Sequence, residues 1–127
     1  MIDGLKRVFT WWNGATLITL LDTKRSGVPV GEDETGNRYY RSKDGKRRWV
    51  IYAGVSDASK VTPDWHGWLH HTFDAPPTEA PLKRRAWEKP HKPNMTGTDQ
   101  AYRPPGSLLI PQSRPKATGD YEAWRPE

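Results

Sequence analysis

The apolar residues of this chain fall into separate blocks divided by turn-forming residues. Leu17, Leu20 and Leu21 recur at helical spacing, with Ile18 beside them and Lys24-Arg25 at the end. This spacing predicts a short amphipathic helix over residues 15–25, although four apolar residues in five positions also fit a short strand. Such a helix either packs on a neighbouring sheet or lies with its basic end against a membrane surface. Val28-Pro29-Val30, Arg38-Tyr39-Tyr40-Arg41 and Arg48-Trp49-Val50-Ile51-Tyr52 read as three strands, the last rich in β-branched and aromatic residues. Thr35-Gly36-Asn37 and Lys43-Asp44-Gly45-Lys46 supply the turns, Asp-Gly giving the positive φ of a tight hairpin. Together they predict a three-stranded antiparallel meander over residues 27–54, with an apolar face that needs a cover.

A second helix is predicted over residues 62–72. Thr62 suits the N-cap, Pro63 the first helical position and Asp64 the positive helix end. Trp65, Trp68, Leu69 and Thr72 then share a face. Ahead of the first helix, residues 1–14 read as an irregular or short helical lead in which Phe9, Trp11 and Trp12 cluster before Asn13-Gly14. After residue 75 the pattern changes. Ten of the 12 prolines fall in residues 76–127, interleaved with Trp87, Tyr102, Tyr121 and Trp124. Proline excludes helix interiors and central strands, so this stretch builds no core of its own. Disordered linkers are poor in aromatics, so the interleaving suggests an arm ordered on another surface. The fold class is therefore α+β. A head over residues 1–75 divides into an aromatic and amphipathic segment (1–26), the meander (27–54) and a helix (62–72). An extended arm with little regular structure occupies residues 76–127.

Charge changes this picture little. Twenty basic against 15 acidic residues give +5, spread along the chain, with short clusters at Lys46-Arg47-Arg48 and Lys83-Arg84-Arg85. Such a surface meets nucleic acid, anionic lipid or an acidic protein face. There is no cysteine, which excludes disulfides and thiolate metal or iron–sulfur ligation. No apolar run approaches the ~20 residues that span a bilayer, and the first residues lack the apolar core of a signal peptide.

Candidate chemistry is sparse. His66 and His70 stand four apart on the second helix, but Gly67 takes the place of the glutamate that a zinc-protease motif requires. Exposed or interfacial histidines are the better account. Glu32-Asp33-Glu34 reads as a solvated turn or a patch for a basic partner. No glycine pattern matches a phosphate loop, and no nucleophile elbow occurs. Tyr39, Tyr40, Trp49 and Tyr52 interleave with Arg38, Arg41, Arg47 and Arg48, the chemistry of a single-stranded nucleic-acid platform. Alternate strand residues face opposite ways, however, so about half of these aromatics should cover the core.

Two blocks carry a resemblance: Val30-Gly31-Glu32-Asp33-Glu34 through Gly36-Asn37-Arg38-Tyr39-Tyr40, and Arg47-Arg48-Trp49-Val50-Ile51-Tyr52. It continues through Val61-Thr62-Pro63 and Trp65-His66-Gly67-Trp68-Leu69-His70. It resumes at Pro90-His91-Lys92-Pro93-Asn94, Thr96-Gly97-Thr98, Ala101-Tyr102-Arg103-Pro104-Pro105-Gly106-Ser107-Leu108 and Thr118-Gly119-Asp120-Tyr121-Glu122-Ala123-Trp124. These motifs resemble the small accessory subunit family of respiratory NADH:ubiquinone oxidoreductase, complex I, which also includes the mimitin assembly-factor branch. The arm looks like that of the structural subunit. The resemblance implies a non-catalytic supernumerary subunit with no cofactor, bound to the hydrophilic arm near the quinone module and the membrane junction. Its partners would include the ferredoxin-like iron–sulfur subunit, with possible contact to the membrane surface and no nucleic acid. The lack of a mitochondrial presequence suggests a bacterial form, on the cytoplasmic face of the inner membrane. The candidate partner-binding residues are Trp11, Trp12, Tyr39, Arg41, Arg48, Trp65 and Trp68 of the head, and Trp87, Tyr102, Arg103, Tyr121 and Trp124 of the arm. An assembly factor of the same family and a nucleic-acid module remain as alternatives.

Overall fold

Among the described residues the first regular element is helix α1 (Leu17–Ser26), capped by Thr16, whose Oγ1 accepts a hydrogen bond from the Thr19 N–H at 3.2 Å. The computed structural model describes residues 10, 14–110 and 113–126, so Trp11, Trp12 and most of the predicted lead lie outside the described residues. Helix α1 carries Lys24 and Arg25 in its last turn, where cations complement the helix dipole. It runs without a loop into strand β1 (Gly27–Glu32). A Cβ on Gly27 would lie 2.5 Å from the Thr23 carbonyl oxygen, so this junction requires glycine.

Strand β1 pairs antiparallel with β2 (Arg38–Ser42), which pairs antiparallel with β3 (Arg48–Ile51). Pro29 sits opposite Tyr40 and Gly31 opposite Tyr39, leaving a register shift at Val30. Proline is tolerated here because β1 is an edge strand with a bulge. Gly36 at φ +82° and Gly45 at φ +73° turn the two hairpins, as the Gly36 and Asp44-Gly45 signals predict. A short 3-10 turn (Ala58–Lys60) leads to helix α2 (Pro63–Leu69).

The two faces of the sheet are covered differently. On one, Tyr39 stacks on Trp65 with centroids 3.9 Å apart and planes at 4°. Trp68 meets both edge-on, at 6.4 Å from Tyr39 and 5.6 Å from Trp65. Val61 completes this buried cluster, with Val30, Val50, Tyr52 and Leu69 packed against it. On the other face Tyr40 and Trp49 pair across the strands at 6.1 Å, with the Arg47 guanidinium 5.5 Å from the Trp49 ring. Trp49 Nε1 donates to Thr23 Oγ1 at 3.0 Å, which seats α1 on this side.

Helix α1 is therefore present but not rotated as its leucines suggest. Thr23 is its buried residue, while Leu17, Ile18 and Leu21 are 46%, 79% and 67% exposed. The direct junction through Gly27 and the Trp49–Thr23 bond together hold the helix in this orientation. Helix α2 begins where expected, with Pro63 in its first turn, yet Thr62 makes no side-chain cap. It ends three residues earlier than predicted. His71 adopts φ +58°, the Thr72 N–H donates to the Gly67 carbonyl at 2.9 Å, and the His71 N–H to the Trp68 carbonyl at 3.1 Å. That bond pair is a Schellman ending with histidine in the position glycine usually holds.

Two compact units divide the chain, Met1–Pro93 and Asn94–Glu127. The first thus includes residues 76–93 of the predicted arm. Among the described residues of the second unit, turns alone recur and no helix or strand forms. The α+β class with a long irregular segment is as the sequence predicts.

Candidate docking surfaces

Several side chains expected at an interface are committed inside the head. Tyr39, Trp65 and Trp68 are 0%, 4% and 1% exposed, so they offer a partner almost no surface. Strand alternation explains the first: Tyr39 and Tyr40 must face opposite ways, and Tyr39 takes the core side. Arg48 is likewise turned inward. Its Nη1 donates to the carbonyls of Trp68 at 2.6 Å and Phe73 at 2.7 Å, and its guanidinium lies 4.9 Å from the Trp68 ring. It closes the C-terminal end of α2, where the terminal carbonyls and the negative dipole end attract a cation. Arg41, in contrast, is exposed on β2.

A second internal device lies in the first turn. The Asp33 carboxylate accepts five hydrogen bonds: Thr35 N–H at 2.9 Å, Thr35 hydroxyl at 2.7 Å, Asn37 N–H at 3.0 Å, Asn37 Nδ2 at 2.9 Å and Tyr39 hydroxyl at 2.7 Å. Burial pulls the Asp33 carboxyl upward, but the bonds from Thr35, Tyr39 and Asn37 outweigh it and hold it below the usual carboxylate range. Burial, reinforced by the bond to Asp33, pushes the Tyr39 hydroxyl far above its ordinary value. Asn37, 1% exposed, extends the network by donating to the Lys60 carbonyl at 3.3 Å and accepting from the Ala53 N–H at 3.1 Å. Asp33 is thus a structural organiser rather than a purely solvated acid. The Asp-x-Thr-x-Asn spacing of an Asx turn was the available signal.

What the first unit does present is a cleft and an apolar notch. Residues 77–93 run beside α2, tied by Arg84 Nη2 to Asp64 Oδ2 at 2.9 Å and by His91 Nε2 to the Ser59 carbonyl at 2.7 Å. Between this segment and the first turn lies an open cleft of about 760 Å³. Glu32, Glu34 and Asp64 line it together with Arg84, Lys89 and Lys92. A notch of about 240 Å³ is lined by Phe73, Ala75, Pro77, Ala80 and Leu82 with Asp64 and Asp74. Phe73 reaches back over Gly67, where an added Cβ would lie 2.4 Å from its ring. Gly67, which stands where a zinc-protease glutamate would, is a seat for that ring. Trp87 is 79% exposed on the same segment.

The second unit holds its shape by local bonds and turns its large apolar groups outward. Asp120 pairs with Arg114 and accepts the Ala117 N–H at 2.7 Å. The Arg114 bond, then the Ala117 one, draw the Asp120 carboxyl below its usual range. Tyr102, Tyr121 and Trp124 are 85%, 88% and 81% exposed, and Arg103 is exposed beside the first. Leu108 and Leu109, at 103% and 70%, add an exposed apolar pair beside these aromatic residues in the chain. Among the described residues no group of three or more His, Asp or Glu converges to hold a metal, and no helix is long and apolar enough to cross a membrane.

The chain is similar in sequence to known proteins. A Dictyostelium discoideum protein named NADH dehydrogenase (ubiquinone) 1 alpha subcomplex subunit 12 is 40% identical over 88 residues, covering 65% of this chain and 64% of that protein. The protein of the same name from Bos taurus is 43% identical over 94 residues, covering 63% and 64%. The chain thus spans 64% of the length of each of these two curated relatives. An uncharacterized Rickettsia prowazekii protein is 36% identical over 77 residues, covering 56% of this chain and 72% of that protein. The family described as NADH ubiquinone oxidoreductase subunit NDUFA12 matches residues 27–126, which takes in the sheet, α2, the cleft and the second unit. By that match the chain belongs to the NDUFA12 family of NADH ubiquinone oxidoreductase subunits.

Proposed function

We propose that this protein is a non-catalytic accessory subunit of NADH:ubiquinone oxidoreductase, complex I, which stabilises its hydrophilic arm near the quinone module and the membrane junction. The observation that carries this reading is the division of its aromatic residues. Tyr39, Trp65 and Trp68 fill the core, whereas Trp87, Tyr102, Tyr121 and Trp124 lie outside regular structure at 79–88% exposure. Monomeric proteins rarely leave so many large apolar groups in water without a partner to cover them. Tyrosine and tryptophan combine large apolar area with a polar tip, which suits a protein interface. Arg41 and Arg103 add exposed forks for carboxylates.

The partners on this reading are other complex I subunits, among them the ferredoxin-like iron–sulfur subunit and subunits of the quinone module. The Rickettsia relative supports a bacterial form, and the placement would then be peripheral, on the cytoplasmic face of the inner membrane. Trp11 and Trp12 join the docking surface in this reading.

Affinity capture of the chain after mild detergent extraction tests it. Complex I subunits should co-purify, with the ferredoxin-like subunit enriched after partial dissociation. Truncation after Pro93 removes the second unit and should sharply reduce retention. Full co-purification of the truncated chain would show that the second unit is not an anchor, and capture without any complex I subunit would sink the proposal.

A further inference from the structure

His66 and His70 lie four residues apart at the C-terminal end of α2, and both are exposed. Residues at this spacing stand one above the other on a helix, with Cβ atoms about 5–6 Å apart. Here the rings lean closer, with centroids 4.3 Å apart and planes at 36°. A divalent transition ion takes a lone pair from each ring. It binds imidazole nitrogen at about 2.0–2.1 Å, so two nitrogens in adjacent coordination positions stand about 3 Å apart. Ring centres 4.3 Å apart are compatible with that spacing.

The backbone beneath the pair is already fixed. Trp65 and Trp68 anchor α2 in the core, and Arg48 holds the Trp68 carbonyl at 2.6 Å. Both rings therefore start from a rigid helix, which lowers the ordering cost of a ligand.

We propose that His66 and His70 form a two-imidazole binding site for a divalent transition ion of the copper, nickel and zinc class, with water filling its other positions. Imidazole suits these ions, whereas magnesium and calcium take oxygen ligands. The site binds without hydrolytic chemistry, because Gly67 supplies no carboxylate to activate a bound water. His71 takes no part, since its φ of +58° carries the chain out of the helix and off the His66–His70 row. The site stands independently of the accessory-subunit reading.

Copper(II) is the probe. The full chain, free of any polyhistidine tag and stripped by chelator, is titrated by calorimetry and followed by electron paramagnetic resonance. One equivalent should bind, with hyperfine structure from two nitrogens. His66→Gln or His70→Gln should each weaken binding by about 100-fold, the advantage a linked pair holds over a single ligand. His71→Gln and His91→Gln should leave binding unchanged. Both target rings are exposed, so near-UV circular dichroism of the variants should match wild type. Equal affinity in wild type and the His66→Gln/His70→Gln double variant overturns the proposal, whether both bind copper or neither does.

Discussion

Replacing Arg48 by alanine separates a clamp within the fold from a contact to a partner. In the structure one guanidinium nitrogen donates to the Trp68 and Phe73 carbonyls at 2.6 and 2.7 Å, and the side chain is 9% exposed. A hydrogen bond involving a charged group contributes about 1.5–3 kcal/mol. The two share one nitrogen, so they do not simply add, but the Trp68 ring at 4.9 Å contributes a further cation–π term of about 0.5–1 kcal/mol. The ion pair to Asp74 adds little, because Asp74 is fully exposed. Arg48→Ala should therefore destabilise the head by about 3 kcal/mol, a large part of the roughly 5–15 kcal/mol that holds a domain folded. Urea unfolding followed by tryptophan fluorescence measures this directly. With an m-value of about 1.5 kcal/mol per M, the midpoint should fall by about 2 M. Arg48→Lys keeps the charge but not the fork, and should lose roughly half as much. A midpoint within about 0.5 M of wild type for Arg48→Ala would refute the clamp and return Arg48 to the partner surface.

Asp33→Asn should destabilise by about 1–3 kcal/mol, because an amide oxygen accepts the five bonds less strongly and its NH2 faces donors. Because the folded-state pKa of Asp33 is depressed, its contribution is present above the ordinary value of 3.8 and is lost as pH falls through the lower folded value. Urea midpoints across that acid range should decline less steeply in Asp33→Asn than in wild type. Gly27→Ala should cost about 1–3 kcal/mol by thermal denaturation, since its Cβ would meet the Thr23 carbonyl oxygen at 2.5 Å where neither backbone can yield. His71→Gly should raise stability by up to about 1 kcal/mol, read as a higher urea midpoint, because glycine adopts φ +58° without the steric cost histidine bears. A fall instead would mean that the His71 side chain holds the helix end.

The elements themselves were legible because their signals are local. Asp44-Gly45 makes its hairpin, Pro63 opens α2, and β-branched and aromatic runs make β2 and β3 with ends within one residue of those read from the sequence. The motifs spread through residues 27–126 were equally legible, and they carry the family assignment. Each of these features depends on residues a few positions apart, which the chain displays in order. What only the tertiary structure decided depends on partners far away. Trp49 meets Thr23 and so turns α1, leaving Leu17, Ile18 and Leu21 in solvent. Arg48 caps a helix 20 residues on, and Asn37 ties its turn to Lys60. The same side-chain types serve core and surface alike. Adjacent tyrosines, Tyr39 and Tyr40, differ because the strand pleat points one toward α2 and the other toward α1. Local sequence fixes that two neighbours in a strand face opposite ways, but which face is buried is settled by the elements that pack on the sheet.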